Sequence, residues 1–228
     1  MKGSEQRVSE TGWWRLRALR LALIAAGLVA WFGTQALLGR RAFPAQGIAD
    51  HLFALTAGAN AFLLGHPACA DALLISSSAL VDALGVFLMA RGLFGETIRP
   101  FLGLLVLLAL RQICQAFVSL PAPEGMIWRN PGFPSLLVTY GTRTDFFFSG
   151  HTAIAVFGAT ELARLDRAWL TALGVAVAIL EMAAVIVLRA HYTMDVFAGG
   201  VTALWVAAVV GPLAWPADRA LARWSRKL

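Results

Sequence analysis

Residues 168–189 read AWLTALGVAVAILEMAAVIVLR. Glu181 is the one charge before the closing Arg189, and the run matches the roughly 20 apolar residues that a helix needs to cross the hydrocarbon core of a bilayer. Five further runs repeat this pattern, from Leu21 to Leu38, Ala68 to Ala90, Ile98 to Leu120, Phe146 to Leu165 and Thr193 to Leu213. The expected fold is therefore all-α, a polytopic membrane bundle of six transmembrane helices. The stretch from Asp50 to Leu64 is apolar but short, which predicts a re-entrant or interfacial helix and not a seventh span. The whole chain agrees with its parts. Of 228 residues, 59% are hydrophobic and 14% charged, against about a quarter charged in soluble domains, and the mean hydropathy is +0.71. These values exclude a soluble enzyme, a disordered chain and a fibrous one.

The net charge of +6 does not point to nucleic acid, because the basic residues flank apolar runs instead of forming a stripe. They read as topology signals. An even number of spans puts both termini on one side. That side collects Lys2, Arg7, Arg15, Arg17, Arg20, Arg91, Arg99, Arg164, Arg167, Arg219, Arg223, Arg226 and Lys227; the other holds Arg40, Arg41, Arg129, Arg143 and Arg189. Both termini are expected to be cytoplasmic. Leu221, Trp224 and Leu228 beside Arg223, Arg226 and Lys227 predict an amphipathic cytoplasmic tail over 214–228. Residues 1–15 read as a flexible cytoplasmic tail, 121–145 as an outer loop, and 1–228 as a single membrane domain without repeats. Arginine far outnumbers lysine, as in GC-rich bacterial genomes, so a bacterial inner membrane is the expected location. Cys69 and Cys114 are too few for a disulfide scaffold.

Two histidines stand where a lipid-facing helix would not carry them without reason, in Ser149-Gly150-His151-Thr152 and in His191-Tyr192-Thr193-Met194-Asp195. The expected topology brings both segments to the outer face. His191 and Asp195 are four residues apart and so share a helix face, where the carboxylate can accept a proton from one ring nitrogen and orient the other. Gly150 lets a backbone approach closely, and the N–H groups of the following helix start can hold an anion. His51 and His66 lack such neighbours and read as interfacial side chains. Arg111 and Glu181 are the unusual intramembrane charges, which makes each a functional candidate; a structural pair between them and phosphate binding by Arg111 both fit.

Thr144-Asp145-Phe146-Phe147-Phe148-Ser149-Gly150-His151-Thr152 resembles the Gly-Asp-aromatic-x-aromatic-Ser-Gly-His-Thr motif of the sphingomyelin synthase family, a branch of the type 2 phosphatidic acid phosphatase superfamily. His191-Tyr192-Thr193-Met194-Asp195-Val196 resembles its second motif, and Arg111 followed by Ser119-Leu120-Pro121-Ala122-Pro123 resembles its helix that ends in Leu-Pro-x-Pro. The three come in family order over about Leu110 to Gly200. The family's Cys-Gly-Asp stands here as Arg143-Thr144-Asp145, and Leu110 replaces a tyrosine, which leaves the headgroup open. The resemblance implies a bacterial member that moves a phospho-headgroup from a glycerophospholipid to a lipid alcohol such as ceramide or diacylglycerol, with no cofactor and no metal. It implies His191 as nucleophile, Asp195 as its orienting partner and His151 as acid and then base. Arg111, Arg143, Asp145, Ser149, Gly150, Arg189 and Tyr192 would hold substrate.

Other readings fit the same residues. His151, His191 and Asp195 are a conceivable zinc site. Asp145 suits a cationic headgroup or a helix cap, and Phe146 to Phe148 suit packing better than a cage. A lipid phosphate phosphatase, a phospholipase C-type hydrolase and a non-catalytic transporter compete as functions. The phosphatase reading lacks its cationic clamp: Gly92 and Val185 stand where a lysine and an arginine would be. The transporter reading lacks paired broken helices.

Overall fold

The computed structural model describes residues 48–138, 140 and 146–225, with 26, 29, 32 and 33 in addition. The expected tail 1–15, most of the expected span from Leu21 to Leu38, Arg143 and Asp145, and the last three residues lie outside the described residues. The chain divides into two units, Met1–Ala49 and Asp50–Leu228. All the elements named below belong to the second unit and are helical: α1 His51–Leu55, α2 Ala57–Gly65, α3 Pro67–Phe94, α4 Arg99–Phe117, α5 Gly150–Ala163, α6 Ala168–Val187 and α7 Thr193–Ser225.

Four of these, over Pro67–Phe94, Arg99–Phe117, Ala168–Val187 and Thr193–Ala220, are long and apolar enough to cross a membrane, and the chain is an integral membrane protein. Six spans are not found among the described residues. The expected helix from Phe146 to Leu165 is α5, only 14 residues long, about 21 Å at 1.5 Å per residue and so shorter than the bilayer core. Its physical setting explains the difference. His151 to Ala155 are buried without interruption, as are Phe157, Gly158, Glu161 and Leu162, so neighbours surround α5 on all sides; a helix apolar all round is equally the mark of a bundle core. It packs on α3, α4, α6 and α7. Four residues at its expected start are not helical, with Ser149 as N-cap: its Oγ accepts from the Thr152 N–H at 3.3 Å.

The segment expected to stop short of a span is the pair α1 and α2, five and nine residues long. At the other end of the chain, the amphipathic tail expected to begin at 214 is no separate helix. α7 runs on through Pro212 and Pro216 to Ser225, and Asp218 fastens this extension to the start of α4 by accepting from Thr97 Oγ1 at 2.6 Å and the Ile98 N–H at 2.8 Å. One turn further into the bundle, Arg99 pairs with Glu161 of α5 and donates to the Ala207 carbonyl of α7 at 2.9 Å. Both charges are buried. Removing one partner of such a pair leaves an uncompensated charge and typically costs about 3–5 kcal/mol. This pair has no signature in the sequence.

Two apolar clusters fill the bundle. One surrounds α5 with Leu84, Leu88, Leu104, Leu107 and Val206. The other, with Phe53, Leu74, Val185 and Leu188, lies where α1 and α3 meet the turn between α6 and α7. Both cysteines are free.

Candidate active site

The non-helical residues Phe146 to Ser149 form a hub that gathers the three sequence motifs by backbone hydrogen bonds. The Phe146 carbonyl accepts from His191 Nδ1 at 2.8 Å. The Phe148 carbonyl accepts from Arg111 Nε at 3.0 Å, and the Ser149 N–H donates to the Asp195 carbonyl at 3.0 Å. Segments separated by a helical hairpin are thus joined within four residues. Phe146 and Phe148 are buried, which places them in the packing and not against lipid.

A carbonyl can only accept, so the bond to Phe146 requires a proton on His191 Nδ1, and in the neutral ring Nε2 then keeps its lone pair. This is the tautomer a nucleophile needs. The orienting group differs from the one expected. Asp195 Oδ2 is 3.7 Å from His191 Nδ1, beyond hydrogen-bond length, and accepts instead from the Tyr192 N–H at 2.9 Å. The carboxylate therefore acts on His191 through charge, while a backbone oxygen sets the tautomer. A main-chain carbonyl has no signature in sequence, so no pattern could have shown it.

His151 and His191 line one cavity with Arg111, Trp128, Phe146 and Gly150. Its volume is about 60 Å³, several times what a water needs. His151 is 7% exposed and His191 4%. The buried Nε2 of His151 and the buried Oδ1 of Asp195 have no hydrogen-bond partner among the described residues. Trp128 meets the His151 ring edge-on at 5.3 Å. With Leu137 and Val138, it brings the loop after α4 to the wall of the cavity. Asp82 pins that loop by accepting from the Leu136 and Leu137 N–H groups, both at 2.8 Å.

Two glycines permit the close approaches. A Cβ at Gly150 would lie 3.1 Å from Arg111 Nε, so the glycine lets the guanidinium rest on the start of α5. A Cβ at Gly199 would lie 2.6 Å from the Ser149 carbonyl oxygen, whereas at Gly200 it would meet only Thr152 Cγ2 at 3.9 Å. We expect Gly199→Ala to force α5 and α7 apart and lower the melting temperature in detergent by several degrees, since overpacking typically costs about 1–3 kcal/mol. Gly200→Ala should melt with the wild type. Equal melting of the two variants would contradict this packing.

Not every expected residue reaches the cavity. Arg189 turns away, donating from Nη1 to the Glu124 carbonyl at 2.8 Å and lying 5.0 Å over the Phe53 ring. Tyr192 stacks on Phe53 and donates its hydroxyl to the Pro121 carbonyl at 3.1 Å. Burial, followed by the charges of Asp195 and Asp50, raises its phenol above the ordinary value, so it stays a donor. Both residues fasten the loop rather than line the pocket. Arg143 and Asp145 lie outside the described residues. The pair expected between Arg111 and Glu181 is not formed: Glu181 Oε2 accepts from Ser77 Oγ at 2.6 Å, and its other oxygen has no partner among the described residues.

A family model described as AtPDCT1/2 matches residues 49–212, which includes every residue named as lining the cavity. That description denotes plant phosphatidylcholine:diacylglycerol cholinephosphotransferases, a family related to the sphingomyelin synthases. The match corrects the assignment to the sphingomyelin synthases themselves and lends no support to a bacterial source. The two families are related, and the motifs that carried the resemblance did not separate them. No curated protein and no solved structure matches the chain.

Proposed function

The chain belongs to the AtPDCT1/2 family, and from that premise we propose that it carries phosphocholine from phosphatidylcholine to diacylglycerol by way of a phosphohistidine on His191. The observation that supports this most directly is the bond from His191 Nδ1 to the Phe146 carbonyl, which in the neutral ring leaves Nε2 unprotonated in a cavity shared with His151. In the first half-reaction Nε2 attacks phosphorus and the bond from phosphorus to the glycerol oxygen breaks. Burial, followed by the neighbouring His191 and Arg111, favours neutral His151 before substrate binds. The negative phosphodiester opposes this, and His151, protonated in its presence, gives its proton to that oxygen, and diacylglycerol leaves. In the second, neutral His151 takes the proton of an incoming diacylglycerol hydroxyl, whose oxygen attacks phosphorus. The bond to Nε2 then breaks and a new phosphatidylcholine departs with His191 restored. Splitting one displacement into two is what a covalent nucleophile contributes, and one base serving both halves follows from their symmetry.

Charge favours a phosphodiester over a monoester. Arg111 is the only arginine or lysine among the described lining residues, enough for one negative charge but few for two. By the arginine distribution, the site end of the bundle faces away from the cytoplasm.

The test is exchange in proteoliposomes that contain headgroup-labelled phosphatidylcholine and an unlabelled diacylglycerol of different chain length. Label is expected in a new phosphatidylcholine that carries the added chains, with little free phosphocholine and no free phosphate from phosphatidic acid. Phosphate release from phosphatidic acid without any exchange would overturn the proposal in favour of a phosphatase.

A further inference from the structure

The short helices α1 and α2 carry two polar side chains that end on the turn holding His191. Asp50 precedes α1 and caps it, its Oδ1 accepting from the Leu52 N–H at 3.0 Å. The same carboxylate caps α7: Oδ2 accepts from the Thr193 N–H at 2.6 Å, and Oδ1 from Thr193 Oγ1 at 2.7 Å. The first N–H groups of a helix have no partner within it, so one carboxylate satisfies two helix starts that are 143 residues apart. Asn60 of α2, 3% exposed, does the reverse at the end of α6. Its Nδ2 donates to the Val187 carbonyl at 2.9 Å and to the Gly125 carbonyl at 3.1 Å.

Val187 and Thr193 bracket the five residues that carry His191, and both brackets are tied to the same short segment. Inside them Arg189 has φ 52, a conformation that residues other than glycine rarely adopt unless their surroundings impose it. The surroundings are visible: Phe53 of α1 lies under the Arg189 guanidinium, and the Ile127 N–H donates to the Leu188 carbonyl at 2.8 Å. Neither Asp50 nor Asn60 lines the cavity.

We infer that Asp50 and Asn60 are positioning residues for His191, holding the turn between α6 and α7 so that the imidazole keeps Nδ1 on the Phe146 carbonyl and aims Nε2 into the cavity. This rests on His191 as the nucleophile. It assigns a purpose to the apolar segment before α3, which neither spans the membrane nor touches the reacting atoms.

The experiment replaces Asp50 by Ala, and separately Thr193 by Val, which removes the hydroxyl but keeps the backbone donor. Exchange is measured per folded protein. Asp50→Ala is expected to lower kcat about 10- to 100-fold with KM for both lipids within about twofold, since small misplacements of a reacting group weigh on rate and not on binding. Thr193→Val should cost about three- to tenfold and add nothing in the Asp50→Ala background. Nitrogen-15 spectra of ring-labelled histidine, of which the chain has four, read the His191 tautomer without substrate. A single Nδ1–H form is expected in the wild type and a mixture in Asp50→Ala. An unchanged kcat and an unchanged tautomer in Asp50→Ala would overturn the inference. If Asp50→Ala does not fold, an unchanged kcat in Thr193→Val overturns it. Absence of exchange in the wild type would fault the proposed function alone, because the tautomer still reports on the turn.

Discussion

His191→Ala is expected to abolish phosphocholine exchange, with residual activity lower by about 10⁴-fold or more, because both half-reactions pass through the atom removed. The fold should survive. The imidazole is a small part of a buried site, and its hydrogen bond goes to a backbone carbonyl that can take a water from the cavity. Two measurements check this. Wild-type protein given phosphatidylcholine labelled at phosphorus, without acceptor, should retain label that is lost in acid and stable in base, the behaviour of a phosphoramidate; His191→Ala should retain none. Exchange above about one part in a hundred of the wild-type rate in His191→Ala would rule out the covalent route, leaving direct transfer with His151 as base.

The parts of this molecule that can be read from its sequence are those where side-chain identity is the signal. Four spans are legible because an apolar run of that length has few other uses, and the two histidines because imidazole at a membrane face asks for an explanation. α5 misleads for a related reason. Hydropathy reports that a helix avoids water, and a helix enclosed by α3, α4, α6 and α7 avoids it as well as one in lipid does, so the non-helical residues 146–149 look like part of a span. The hub these residues form has no sequence signal at all, since it consists of the Phe146 and Phe148 carbonyls and the Ser149 N–H, groups that every sequence carries. Arg189 is legible as a charge but not as a direction: its φ of 52 turns it toward Phe53. Asp50 is one carboxylate before a short apolar stretch, and no local pattern connects it with Thr193.

Asp195→Asn separates what is legible from what is not. In the sequence, His191 and Asp195 at four-residue spacing read as a ring and the carboxylate that orients it. Were that so, the amide would disturb the tautomer, the effect that makes the corresponding change so costly in serine proteases. Here the tautomer belongs to the Phe146 carbonyl, and the substituted amide would still offer an oxygen to the Tyr192 N–H, so the geometry should persist and only the charge be lost. That charge lies 3.7 Å from Nδ1, where it steadies the positive ring formed when Nε2 bonds to phosphorus. At an effective dielectric near 20, two unit charges at that separation interact by about 4 kcal/mol, an upper bound that corresponds to about 10³-fold in rate. We therefore expect Asp195→Asn to lower kcat by about 10²- to 10³-fold, with KM nearly unchanged and with the ring nitrogen spectrum of His191 still that of the Nδ1–H form. Asp50→Ala should do the opposite, mixing the tautomers at a smaller cost in rate. A shifted tautomer in Asp195→Asn would return the orienting role to the carboxylate and reduce the Phe146 carbonyl to a bystander.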